Sequence, residues 1–175
     1  MIEDFENFPI QLARDSVVYF LTHKKYLPTP SEIPLPFQKK AAAFVTLKKA
    51  GELRGCIGTI SPVMENVAEE IIRNAVSAAL HDPRFPPVSL EEIPNIDFSV
   101  DVLEKPEPVS SLDELNPKIY GVIVRSGKKS ALLLPDLEGI ETPEEQVKIA
   151  CRKGGIYPGE KIELQRFKVT RYGKK

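Results

Sequence analysis

Apolar residues recur along the chain with two periods, and the period predicts each element. Leu12, Ala13, Ser16, Val17, Phe20 and Leu21 fall at helical spacing, with Asp15, Thr22 and Lys24 at outer angles. This predicts an amphipathic helix that starts after Pro9 and ends near Lys25. Pro28, Pro30, Pro34 and Pro36 forbid helix across 27–38, which predicts an extended loop anchored by Leu35 and Phe37. Residues 43–48 (AFVTLK) and 53–60 (LRGCIGTI) alternate around Ala50-Gly51 and predict a β-hairpin.

Ser61-Pro62 supplies a capping hydroxyl and a first-turn proline. From there Met64, Val67, Ala68, Ile71, Ile72, Ala75, Ala78 and Ala79 share one broad face, which predicts a helix from Pro62 to Leu80. Pro83, Pro86 and Pro87 end it. Ile96, Phe98, Val100 and Val102 alternate with Asp97, Ser99 and Asp101, the pattern of a half-buried strand with an acidic outer face. Two apolar runs around Ser126-Gly127-Lys128-Lys129 predict a second hairpin. Thr142-Pro143-Glu144-Glu145 is a capping box opening a short helix to about Lys153, with Val147, Ala150 and Cys151 inward. The tail KIELQRFKVTRY predicts a final strand, and its change of apolar phase between Leu164 and Phe167 predicts a bulge at Gln165-Arg166.

Hairpins outnumber strand–helix–strand crossovers, so the fold class expected is α+β: an antiparallel or mixed sheet with helices packed on it. The 175 residues suit a single domain. The proline-rich stretches suggest possible subdomains, a central unit over 40–90 and a discontinuous larger unit of 1–39 plus 91–175. With 24 basic and 25 acidic side chains, the charge balance points to neither nucleic acid nor a membrane surface. No run approaches the ~20 apolar residues of a bilayer span. The acidic start MIEDFENF is unlike a signal peptide, and two cysteines fit a reducing compartment, so the expected location is cytoplasmic. No zinc spacing or phosphate-loop glycine motif is present, and no metal or cofactor is expected.

The candidate chemistry lies in GELRGCIGTISP, 51–62. Strict alternation puts Arg54, Cys56, Gly58 and Ile60 on one face and Leu53, Gly55, Ile57 and Thr59 on the other. A guanidinium beside a thiol favours the thiolate. Gly55 and Gly58 leave room for a ligand, or equally for the close approach of a helix. Cys56 is thus a candidate nucleophile or redox thiol with Arg54 as its activating cation, and equally a packed small hydrophobe. His81 at the far end of a helix of roughly 28 Å leaves a gap of ~12 Å to Cys56, too far for a base. Asp82 and Arg84 in HDPRFPPV form a local pair or the rim of a cleft over Cys56. Asp97 and Asp101 read as a solvated face, and SGKK as a hairpin turn whose lysine pair is slight evidence for anion binding.

Leu53-Arg54-Gly55-Cys56-Ile57-Gly58 also resembles the signature of the AMMECR domain family, known in microbes as AmmeMemoRadiSam system protein A. The likeness continues through DPRFPP at 82–87, SVDVLEKPEPV at 99–109, GVIVRSGKKSALLLP from Gly121 and ACRKGG from Ala150. The resemblance implies an α+β fold of two subdomains sharing a cleft lined by 53–58. It implies a Memo-like protein and a radical SAM enzyme as possible partners. It brings no settled reaction. Two functions therefore stand: a cysteine-dependent enzyme acting on a small anionic or modified substrate, or a non-catalytic ligand- or protein-binding module working with those partners.

Overall fold

The computed structural model describes residues 3–174. The chain divides into two compact units, Met1–Val102 with Arg171–Lys175, and Leu103–Thr170. The boundary expected at 40–90 gives way because the first helix belongs with the central sheet. That helix, α1 (Glu3–His23), contributes Leu12, Ala13 and Val17 to the same core as the sheet strands. It begins upstream of Pro9, which lies buried inside it.

Unit 1 is built on strands β1 (Ala43–Lys49), β2 (Glu52–Gly58) and β3 (Ile96–Leu103), joined by β8 (Val169–Tyr172) in the order β2-β1-β3-β8. The β1 pairs are antiparallel. Helix α2 (Val67–Leu80) packs on β1 and β2, and α1 packs on α2. Val45, Leu47, Phe98, Val100 and Val102 point to this helical side and are buried against Val67, Ile71 and Ala75.

The second helix starts five residues later than the Ser61-Pro62 signal suggests. Asn66 is its N-cap, and the Asn66 side chain accepts from the Glu69 N–H at 2.9 Å. The reason lies one turn in. The fully buried Glu70 carboxylate accepts from the N–H groups of Val63 and Met64 and, at 3.0 Å, from the Thr59 hydroxyl. That carboxylate fastens the 59–66 segment as a loop against α2.

Unit 2 is a second antiparallel sheet, β4-β7-β5-β6, made of β4 (Glu107–Val109), β5 (Gly121–Ser126), β6 (Lys129–Leu133) and β7 (Glu163–Phe167). Helix α3 (Pro143–Lys153) covers it. The capping box at Thr142 is present, and Val147 and Ala150 are buried with Val122, Val124 and Ala131. The sequence pattern does not reveal β4, whose three residues include Pro108. A proline is tolerated there because β4 is an edge strand that pairs only with β7.

The expected bulge at Gln165-Arg166 is absent from the pairing of β7 with β5 and β4. The apolar phase changes because β7 packs side chains on both faces: Leu164, opposite Val124, joins the core under α3, and Phe167, opposite Gly121, is buried on the other face. β7 ends at Phe167, Lys168 intervenes, and β8 joins unit 1. This last strand also corrects the expected acidic face of β3. Asp97 is exposed, but Ser99 and Asp101 are buried. Arg171 binds Asp101 through Nε at 2.7 Å and Nη2 at 3.1 Å, and Gly173 lies against Ser99 so closely that a Cβ would meet its Cα at 3.2 Å.

The β1–β2 turn holds Ala50 at φ 52° and Gly51 at φ 83°. Left-handed backbone suits glycine and asparagine, not alanine. Ala50→Asn is therefore expected to stabilise the protein by about 0.5–1 kcal/mol. A urea midpoint equal to or below that of the parent protein would contradict this account of the turn.

Candidate functional site

Cys56 sits on the edge strand β2, opposite Thr46 of β1. Both side chains are half-buried on the face turned away from α2. The Cys56 Sγ and Thr46 Oγ1 are 3.2 Å apart. Close side chains mark a pair without mutual backbone hydrogen bonds. The N–H and C=O of Cys56 accordingly point outward, along the open edge of the sheet.

A single ion pair meets both groups. Asp82 Oδ2 accepts from the Cys56 N–H at 2.9 Å, and Arg84 Nη2 donates to the Cys56 C=O at 3.3 Å. Arg84 grips the same carboxylate through Nε at 3.0 Å and Nη2 at 2.7 Å, and its own N–H donates to Oδ1 at 3.1 Å. The pair stands where the peptide of a further strand would stand. The Asp82 side chain is 2% exposed and that of Arg84 54%. The Arg84 guanidinium foremost, aided by the Cys56 and Arg84 amides, holds the Asp82 carboxyl far below the usual carboxylate range. Asp82 in turn raises Arg84, with a smaller contribution from the charge of Cys56.

The arginine in electrostatic contact with Cys56 is therefore Arg84. Arg54 turns elsewhere. Its Nε and Nη2 reach Glu92 at 3.1 and 2.9 Å, and its Nη1 donates to the Pro86 carbonyl at 2.9 Å. Lys49 joins the same carboxylate at 2.9 Å. Arg54 first and Lys49 second hold Glu92 down at about 2. The cause of the misplacement is a bulge. Leu47 opposes Gly55 while Lys48 opposes Leu53, so Arg54 is an extra residue in β2. Alternation fails across it, and Leu53 shares the outward parity of Lys48 and is 40% exposed.

Gly55 and Gly58 have separate reasons. A Cβ on Gly55 would lie 2.2 Å from the Ala78 carbonyl oxygen, so this glycine lets the last turns of α2 touch the sheet. A Cβ on Gly58 would lie 2.2 Å from the Phe44 ring, which covers that position. Ile57 points to the helical side and packs against the core. The close approach at Gly55 also overturns the separation expected between the end of α2 and Cys56. Loop 59–66 lets α2 lie back over β2, and Asp82, two residues past the helix, reaches the Cys56 amide. His81, exposed beside Asp82, caps α2 through its N–H to the Ser77 carbonyl at 2.8 Å.

Cys151 is a separate thiol on α3 in unit 2, and neither cysteine is in a disulfide. Burial, then the Glu160 charge, pushes the Cys151 thiol up. Among the described residues no group of His, Cys, Asp and Glu is placed to hold a metal ion, and no helix is long and apolar enough to cross a membrane.

The chain is thus of the α+β class, with two antiparallel sheets. The AMMECR1 family model matches residues 10–175, and the chain belongs to that family. It is 50% identical over 168 residues to a protein of Clostridium acetobutylicum, covering 93% of this chain but 35% of that one. It is 54% identical over 138 residues to a protein of Thermotoga maritima, covering 78% of this chain and 79% of that one. The chain thus spans about a third of the Clostridium relative. The crystal structure of an uncharacterised protein from Pyrococcus horikoshii superposes with a TM-score of 0.89 at 32% identity, covering 96% of this chain and 90% of that one.

The clamp makes a prediction about acid. Asp82 is depressed in the folded state, so its contribution is complete above the unfolded value of ~3.9 and is lost as pH falls below it. Replacing it by Asn should cost about 1–3 kcal/mol at neutral pH, less than a fully buried pair because Arg84 is half in solvent. The gap between parent and Asp82→Asn should narrow as unfolding is followed from pH 6 to the lowest accessible pH. A gap that stays constant would remove the ion pair as its origin.

Proposed function

We propose that the chain is a binding module whose recognition surface is centred on Cys56, working beside or joined to partner proteins, and not an enzyme with an activated thiol. One observation carries this reading. The groups that activation requires are already engaged within the chain. Arg54 is held by Glu92, Arg84 by Asp82, and the Cys56 N–H, a candidate oxyanion donor, by Asp82. What faces away from α2 is a half-buried patch of Phe44, Thr46, Cys56 and Gly58 with the exposed Leu53 at its end. A patch held this firmly loses little entropy when it binds.

The length of the Clostridium relative supports the same reading, since 35% of that protein matches this chain and the rest is additional sequence. A Memo-like protein and a radical SAM enzyme are the partners that the family likeness suggests. The placement is cytoplasmic in this proposal.

The catalytic alternative rests on Arg84, whose half-exposed guanidinium interacts with the charge of Cys56. A substrate that drew Asp82 away would leave that cation to the thiol. Alkylation rate against pH separates the two readings. In a Cys151→Ala background, Cys56 should label with a half-maximal pH near the ordinary thiol value of ~8.5 or above. Arg54→Gln should not move it. A midpoint well below that value, rising in Arg84→Gln, would overturn the binding reading in favour of the enzyme. Cys56→Ser should also support the growth of a deletion strain as the parent does.

A further inference from the structure

Unit 2 carries a polar groove that has no part in the Cys56 site. It has a volume of ≈ 490 Å³ and is lined by Arg125, Ser126, Gly127, Glu160, Lys161 and Glu163. Volumes of roughly 300–1,000 Å³ are usual for small-molecule sites. The groove lies where the β5–β6 turn, the start of β7 and the loop before β7 come together.

The loop is fixed by Glu160. Its carboxylate accepts from Lys129 Nζ at 2.7 Å, from the Ser126 hydroxyl at 3.2 Å and from the Tyr157 N–H at 2.8 Å. Lys129 first, then the Tyr157 amide, keeps Glu160 below its ordinary value. This acid is therefore neutralised by a lysine and occupied by donors, and it does not compete for a cation in the groove. Among the described residues, no carboxylate stands within ion-pair distance of Arg125 or Lys161. Two cations thus face the groove against one uncommitted acid, Glu163, which opposes Arg125 in the strand register. The turn leaves space above them, since a Cβ on Gly127 or Gly159 would meet nothing within 4 Å.

We propose that this groove binds a small molecule bearing a phosphate or carboxylate group. Arg125 and Lys161 take the anionic end, for which a guanidinium offers paired donors. The Glu163 carboxylate takes a hydroxyl or amine donor from the rest of the ligand. The chemistry is that of a hydroxylated phosphate ester or hydroxy acid, and a bare inorganic ion satisfies only its anionic half.

The test is a titration of the full chain, followed by amide NMR, with inorganic phosphate, ribose 5-phosphate and citrate at constant ionic strength. The expected result is saturable shifts at Ser126, Gly127 and Lys161, with at least one of the two organic probes tighter than inorganic phosphate. Arg125→Gln with Lys161→Gln should weaken binding by about tenfold or more, the worth of a charge-assisted hydrogen bond. Glu163→Gln should erase the advantage of the organic probe. Arg125→Lys, which keeps the charge and the exposed strand position, should bind between the two and guards against misfolding of the double variant. Shifts that do not saturate, or that persist unchanged in the double variant, would overturn the proposal, as would equal binding of all three probes. Cys56→Ala should leave every one of these titrations unaltered, so the fate of the Cys56 reading does not decide this one.

Discussion

The carboxylate of Asp82 ties the end of α2 to the edge of the sheet in unit 1. A strand edge presents unpaired amides, and a helix end presents unpaired carbonyls. Asp82 follows the end of α2 and binds the edge of β2, so one side chain joins the two weak margins. Desolvating a carboxylate costs several kcal/mol. Here the cost is offset by Arg84, two positions on, and by backbone amides from two segments. Without that compensation the DPRF segment keeps its ties through Pro86 and Val88 but loses its hold on the Cys56 backbone.

The setting of Cys56 shows how a sequence that looks poised for thiol chemistry can arise from packing. Each glycine beside it answers to a neighbour, the Ala78 carbonyl in one case and the Phe44 ring in the other. Each arginine answers to a carboxylate. A threonine hydroxyl accompanies the sulfur. The strand is bent by the bulge at Arg54 and closed at Cys56 by an ion pair, two devices that also keep an edge from pairing with other chains.

Much of this architecture was legible in the pattern of residues. Both hairpins, the capping box at Thr142, the helical face from Val67 to Ala79 and the α+β class follow from period and punctuation. The grouping of Asp82 and Arg84 with Cys56 was legible as one of two options. What escaped depended on contacts distant in sequence. No local signal shows that Glu70 will capture the amides of Val63 and Met64, so Pro62 looked like a helix start. The bulge is invisible because a one-residue slip leaves LRGCIG reading as an unbroken alternation. Burial of Asp101 required Arg171, seventy positions away. The shift of phase near Phe167 was a true signal, but a bulge and a strand buried on both faces just before a change of sheet leave the same trace in one sequence.

That change of sheet has a consequence for how the chain is made. β8 belongs to the sheet of unit 1 but is synthesised after every strand of the unit 2 sheet. As the chain leaves the ribosome, the edge of β3 and the carboxylate of Asp101 wait uncovered until Arg171 has been translated. Nascent unit 1 therefore passes through a stage with an open strand edge beside an unpaired acid.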